Sequence, residues 1–111
     1  VTRATQSRDL ADSRFDRARM LAMAQHNERF RKKLAAVQDR LTDALTECFR
    51  QAQEKGWLNT DFKPHTGAIF IQAYTLGKLV DDVSENHMDN SDWENLITLI
   101  ADRALSTKSP G

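Results

Sequence analysis

His26, His65 and His87, the lone Cys48 and two clusters of like charge are the groups in this chain whose types could do chemistry. An imidazole acts as a base or metal ligand only with a second ligand or an orienting carboxylate in reach. None of the three histidines sits in a His-Glu-x-x-His or Glu-x-x-His pattern. All fall at expected helix boundaries, where a solvated histidine is the ordinary outcome. Cys48 lies on an apolar helical stripe, which predicts a packed thiol rather than a nucleophile. Being single, it can form neither an internal disulfide nor a Cys-based zinc site. Arg29, Arg31, Lys32 and Lys33 would suit a phosphate, but a helix start is where cations gain least from the helix dipole, so a solvated face is expected. Asp81, Asp82, Glu85, Asp89, Asp92 and Glu94 have the acidity of a cation site without the spacing of a calcium loop. They read as a solvated connector and a charged helix start. With no glycine-rich phosphate loop and no Gly-x-Ser-x-Gly turn either, the chain reads as a non-enzyme, with no catalytic residue, metal or cofactor to name.

The elements that would position such groups are helical. The 111 residues include 13 Ala, 11 Leu and 10 Arg against eight Val and Ile together, four Gly and two Pro. That balance favours helices over sheets, and the length is that of one domain. Residues 1–13 are polar and read as an arm or partial helix. From Arg14 to Gln25, Phe15, Ala18, Leu21 and Ala22 follow helical spacing, with Met20 and Met23 beside them. Asn27 is placed to cap the next element. From Glu28 to Lys55, Phe30, Leu34, Val37, Leu41, Ala44 or Leu45, Cys48 and Ala52 make one stripe on a helix of ~42 Å. Gly56 should end it in the left-handed conformation, with Trp57 closing back onto Ala52. Pro64 suits a first helical position. Ser91 and Glu94 fit a capping box for a last helix reaching Leu105, and 107–111 read as a flexible tail. The expectation is an all-α antiparallel bundle of about four main helices at 14–25, 28–55, 64–83 and 91–105, with the domain spanning 14–106.

Charge excludes further classes. Sixteen basic residues oppose sixteen acidic ones, so no global field exists to hold nucleic acid or an anionic membrane. No apolar run approaches the ~20 residues of a membrane span and no leader is visible, which makes the cytoplasm the default compartment.

The 64–83 segment carries an apolar excess. Ile69, Phe70, Ala73, Tyr74, Leu76, Gly77, Val80 and Val83 cover about half of a helix circumference, with Ile71 and Leu79 beyond that arc. One partner helix cannot cover so wide an arc. Trp93, Leu96, Ile97 and Ile100 give the last helix an apolar face of its own. Two such faces meeting their symmetry copies would form a four-helix bundle. The expected product is a homodimer through Phe70, Ala73, Tyr74, Gly77, Val80, Trp93, Leu96, Ile97 and Ile100, with Ala73 and Gly77 permitting close approach.

The order of signals adds a family to this reading. A long amphipathic helix ends in Ala52-Gln53-Glu54-Lys55-Gly56-Trp57-Leu58, and Asp61-Phe62-Lys63-Pro64 opens an apolar helix containing Gly77. A polar connector and a closing helix through Trp93, Leu96, Ile97 and Leu105 follow. Over residues 14–106 this resembles the C-terminal regulatory domain of the tetracycline-repressor (TetR) family of bacterial transcription regulators. The resemblance implies an effector-binding and dimerisation domain that pairs through its last two helices. It also implies a pocket for a small, often hydrophobic effector, and operator DNA held only by a helix-turn-helix domain preceding Val1. Lys63 departs from the family, which often has Asp before this Pro. Met20, Met23, Phe49 and Phe70 are the candidate pocket residues, since flexible thioethers and aromatic rings suit adaptable ligand sites. The competing expectation is a stand-alone helical interaction or adaptor module whose apolar helix docks a partner.

Overall fold

A computed structural model of the chain describes residues 10–106, whose regular elements are all helices. Helix α1 spans Ala11–Ala24, α2 Glu28–Glu54, α3 Pro64–Gly77, α4 Leu79–Asp82 and α5 Asn90–Ile100, which continues as a π-helical turn over Ala101–Leu105. Ala11–Ser13 of the expected arm form the first turn of α1, whereas residues 1–9 and the tail 107–111 lie outside the described residues. The only extended pairing among the described residues is an isolated antiparallel bridge between Leu58 and Ser106.

The helix ends follow local chemistry. The Asn27 side chain accepts a hydrogen bond from the Phe30 amide at 3.0 Å, satisfying one of the orphan donors that open α2. At the other end Gly56 has φ +79°. The Trp57 amide donates to the Ala52 carbonyl at 2.9 Å and the Gly56 amide to that of Gln53 at 3.1 Å, a Schellman stop. The Trp57 ring is largely open to solvent, 64% exposed, with the Lys55 ammonium 4.7 Å from its centroid. Pro64 opens α3 as expected.

Two boundaries differ from the sequence reading. The helix expected over 64–83 breaks at Lys78, directly after Gly77, where helix propensity is poorest. The cap of α5 is Asp89 rather than Ser91. Its carboxylate accepts from the Ser91 amide at 2.9 Å and the Ser91 hydroxyl at 2.8 Å, and Glu94 accepts from the Asn90 side chain.

Packing centres on the α2–α3 pair. A Cβ built at Gly67 would stand 2.8 Å from the rings of both Phe49 and Phe62, so this glycine is what lets α3 settle against α2. Those rings meet edge to face with centroids 6.0 Å apart. The last helix is tied back by Asn59, whose amide donates to the Leu105 carbonyl at 2.8 Å and whose side chain donates to that of Ala104 at 2.7 Å. Gln53 braces the same loop through the carbonyls of Asn59 and Phe62. The molecule is 17 Å across its thinnest direction, room for two helix layers at the usual spacing of about 8–10 Å.

Candidate functional site

A two-layer slab has little interior. Among the described residues only Ala24, Ala68 and Ile97 are fully buried hydrophobics, while fifteen large apolar side chains are exposed. Their placement is not random. Ile69, Phe70, Ala73, Gly77 and Val80 recur at helical spacing down one side of α3 and α4, and all are exposed. Val80 is 78% and Val83 72% accessible, and nothing lies within 4 Å of a Cβ built at Gly77. Leu96, Leu99 and Ile100 repeat the pattern on α5.

Of the residues expected at a dimer interface, Ala73, Gly77, Val80 and Leu96 therefore lie on open faces, while Phe70 and Ile100 are partly exposed at the rim of a crevice. Tyr74 and Trp93 are half-buried, Tyr74 packing against Phe70 with centroids 5.4 Å apart. Ile97 faces inward at 7% exposure and helps hold α5 to the body.

A second feature is a groove of about 370 Å³ between α1, α2 and α3. Leu10, Leu41, Leu45, Ile71 and Leu76 supply its apolar walls, and Arg14, Arg17, Gln72 and Thr75 its polar ones. Behind it runs a buried hydrogen-bonded strip. Thr42, 5% exposed, accepts at its hydroxyl from Gln72 at 3.1 Å and Gln38 at 3.4 Å. Gln38 also donates to the Gln72 side-chain oxygen and accepts from the Arg17 guanidinium. The inward residues of α2 are thus Gln38, Thr42, Leu45 and Phe49. Leu41 lies at the groove's edge, Val37 and Cys48 turn outward, and Cys48 is an exposed thiol rather than a packed one.

Arg14 forms the third feature. Its guanidinium grips Asp82 with two bonds of 2.6 and 2.8 Å. The side chains are 5% and 0% exposed, and Lys78, also 0%, reaches Asp81 at 3.2 Å and Asp82 at 3.8 Å. Asp81 in turn accepts from the Met88 amide. Arg14 holds the Asp82 carboxyl below the usual carboxylate range, outweighing the opposing effect of burial. Asp81 and Asp82 are therefore not a solvated connector but an ion network joining α1 to α4. The acidic run and the basic cluster part company here, because Arg29, Lys32 and Lys33 are exposed at the start of α2. The open hollow along Arg29, Phe30, Lys33, Leu34 and Val37 has a floor from one helix and no opposite wall. No three His, Cys, Asp or Glu side chains among the described residues come together as metal ligands, and His26, His65 and His87 are exposed. No helix of the described residues is long and apolar enough to cross a membrane.

No protein-family model, curated protein or solved structure matches this chain.

The candidate pocket residues separate into two sets. Phe49 and Phe70 line one crevice of about 250 Å³ with Leu58, Tyr74 and Ile97, under α5. Met20 and Met23 stand 41% and 54% exposed on α1 and line neither this crevice nor the groove. Arg14, Arg17, Gln38 and Gln72 were missed as site residues. The one signal available was that charged and amide side chains interrupt the apolar spacing of α1, α2 and α3 on the sides that turn inward.

Proposed function

We propose that this chain is an effector-binding and dimerisation domain of a transcription regulator of the TetR type, with operator DNA bound by a separate helix-turn-helix domain. The carrying observation is the uncovered apolar face that continues from α3 through α4 and recurs on α5. Monomeric proteins rarely leave so much contiguous apolar surface in water. A two-fold axis along α3 and α5 would bury Phe70, Val80, Leu96 and Ile100 against their copies in a four-helix bundle. The all-helical order, with the longest helix stopped at Gly56 and three shorter helices after it, is compatible with that family.

The effector half of the reading is supported by the groove between α1, α2 and α3. Its volume falls within the roughly 300–1,000 Å³ of small-molecule sites, and it combines apolar walls with a few fixed polar groups. Sedimentation velocity at micromolar concentration tests the dimer. A species of twice 12.7 kDa is expected. A clean monomer would overturn the dimer and favour the adaptor reading, in which the same face docks a different protein.

A further inference from the structure

We propose that the groove between α1, α2 and α3 takes an amphipathic anion, its chain against Leu41, Leu45, Ile71 and Leu76 and its carboxylate on Arg17. This deepens the effector-binding reading above and rests on it. The argument begins with charge. The ion network behind the groove is internally balanced, with Arg14 and Lys78 facing Asp81 and Asp82. Arg17 lies outside that balance. It is half-buried in the groove wall, and among the described residues its one hydrogen bond is to the neutral side-chain oxygen of Gln38. No carboxylate of the described residues forms an ion pair with it.

A guanidinium presents five donors in a fixed fork and matches a carboxylate in two parallel bonds. One donor is used on Gln38, which leaves the rest of the fork for a ligand. That single bond also fixes the fork. Thr42 accepts from Gln72 and Gln38, Gln38 donates to Gln72, and this leaves the Gln38 oxygen turned towards Arg17. The relay begins at a buried hydroxyl, so Arg17 is oriented before any ligand arrives, and less is lost on binding. Beside Ser13, Gln72, Thr75 and the paired Arg14, the walls are the aliphatic side chains of Leu10, Leu41, Leu45, Ile71 and Leu76, which favours an anion with a hydrocarbon body. Partial burial makes the charge worth more than at an open surface, because water competes less for the guanidinium.

Calorimetric titration of the full chain with decanoate, decanol and decyltrimethylammonium tests this, the three probes sharing a chain and differing in head group. Decanoate is expected to bind at least tenfold more tightly than decanol, and the cation not at all. Arg17→Met keeps the aliphatic stem and should erase the preference for decanoate, while Arg17→Lys should keep most of it. Ile71→Trp fills the groove and should abolish binding of decanoate and decanol alike. Equal binding of decanoate and decanol would overturn the anion assignment and leave an apolar effector site standing. Binding of neither, or unchanged binding in Ile71→Trp, would overturn the groove as the site. Sedimentation of the same samples judges the dimer separately. If Arg17→Met loses its helical circular dichroism, the wild-type contrast between decanoate and decanol still decides.

Discussion

Along the side of α3 that meets α2, Gly67 admits two aromatic rings, Ala68 is fully buried and Gln72 is bonded to Thr42 and Gln38. Along the opposite side, Ile69, Phe70, Ala73 and Gly77 are exposed, though their types are those of a core. Polar residues are thus satisfied inside and apolar ones stranded outside, the reverse of a finished monomer. A side with its hydrogen bonds and ion pairs closed within the chain is complete as it stands. A side with the same helical spacing and no cover is complete only in an assembly.

The contrast can be broken at its strongest point by Asp82→Asn. This removes the buried negative charge that Arg14 grips while Lys78 keeps Asp81, and loss of one charge of a buried pair typically costs about 3–5 kcal/mol. Denaturant unfolding should show a loss of that order. The same carboxyl sets an acid limb. Its native pKa lies below the ordinary 3.8 because Arg14 bonds favour the charged form. Its stabilisation is therefore complete above roughly pH 5 and fades as pH falls through 3.8 towards the lowered value. Asp82→Asn should flatten that limb. Glu47 is also held down, to about 2 by Arg50, but this pair is open to solvent and should contribute little to the limb.

On the uncovered side, Leu96→Glu should shift the sedimentation profile towards monomer, since core interface truncations commonly cost about 2 kcal/mol or more. Retention of a full dimer would move the two-fold axis away from α5. Gly67→Ala presses a methyl into the rings of Phe49 and Phe62, a crowding worth about 1–3 kcal/mol in thermal unfolding. Gly77→Ala is the smallest and most informative change. Within one chain the added methyl meets nothing, so better helix propensity should raise the stability of the dilute monomer by up to ~1 kcal/mol. If α3 crosses its copy there, the same methyl should weaken dimerisation. A stabilised monomer with a weakened dimer is the expected pair of results, and an unchanged dimerisation constant would remove Gly77 from the contact.

What could be read from residue order is what local chemistry decides. Asn27 as a cap, Gly56 as a stop and Pro64 as a start each act within a few residues, and all three hold. The all-helical class follows from the same periodicity. What could not be read depends on partners far away in sequence. Arg14 and Asp82 are 68 residues apart, and no spacing rule ties them together, so Asp82 looked like part of a solvated acidic run. Periodicity placed the inner face of α2 only in part. Phe30, Leu34, Leu45 and Ala52 of the expected stripe are half-buried, but Val37 and Cys48 are exposed, and Gln38, Thr42 and Phe49 face inward instead. Mutual hydrogen bonding among Gln38, Thr42 and Gln72 makes that choice affordable, and a one-dimensional pattern carries no trace of it. The candidate groove shares this origin, since Arg17 becomes interesting only once Gln38 is beside it.

The wide separation of Arg14 from Asp82 also orders the assembly of the chain in time. A protein made from its N-terminus exposes α1 first, when the acceptor for its guanidinium has not yet been synthesised. The α2–α3 hairpin, closed by the short turn after Gly56, needs only local contacts and can form early. Until α4 emerges to supply Asp82, α1 packs on α2 alone, and that packing is less extensive than the packing of α2 on α3. Amide hydrogen exchange should accordingly run faster in Ala11–Ala24 than in the facing parts of α2 and α3. The groove therefore has a less firmly packed helix along one of its walls.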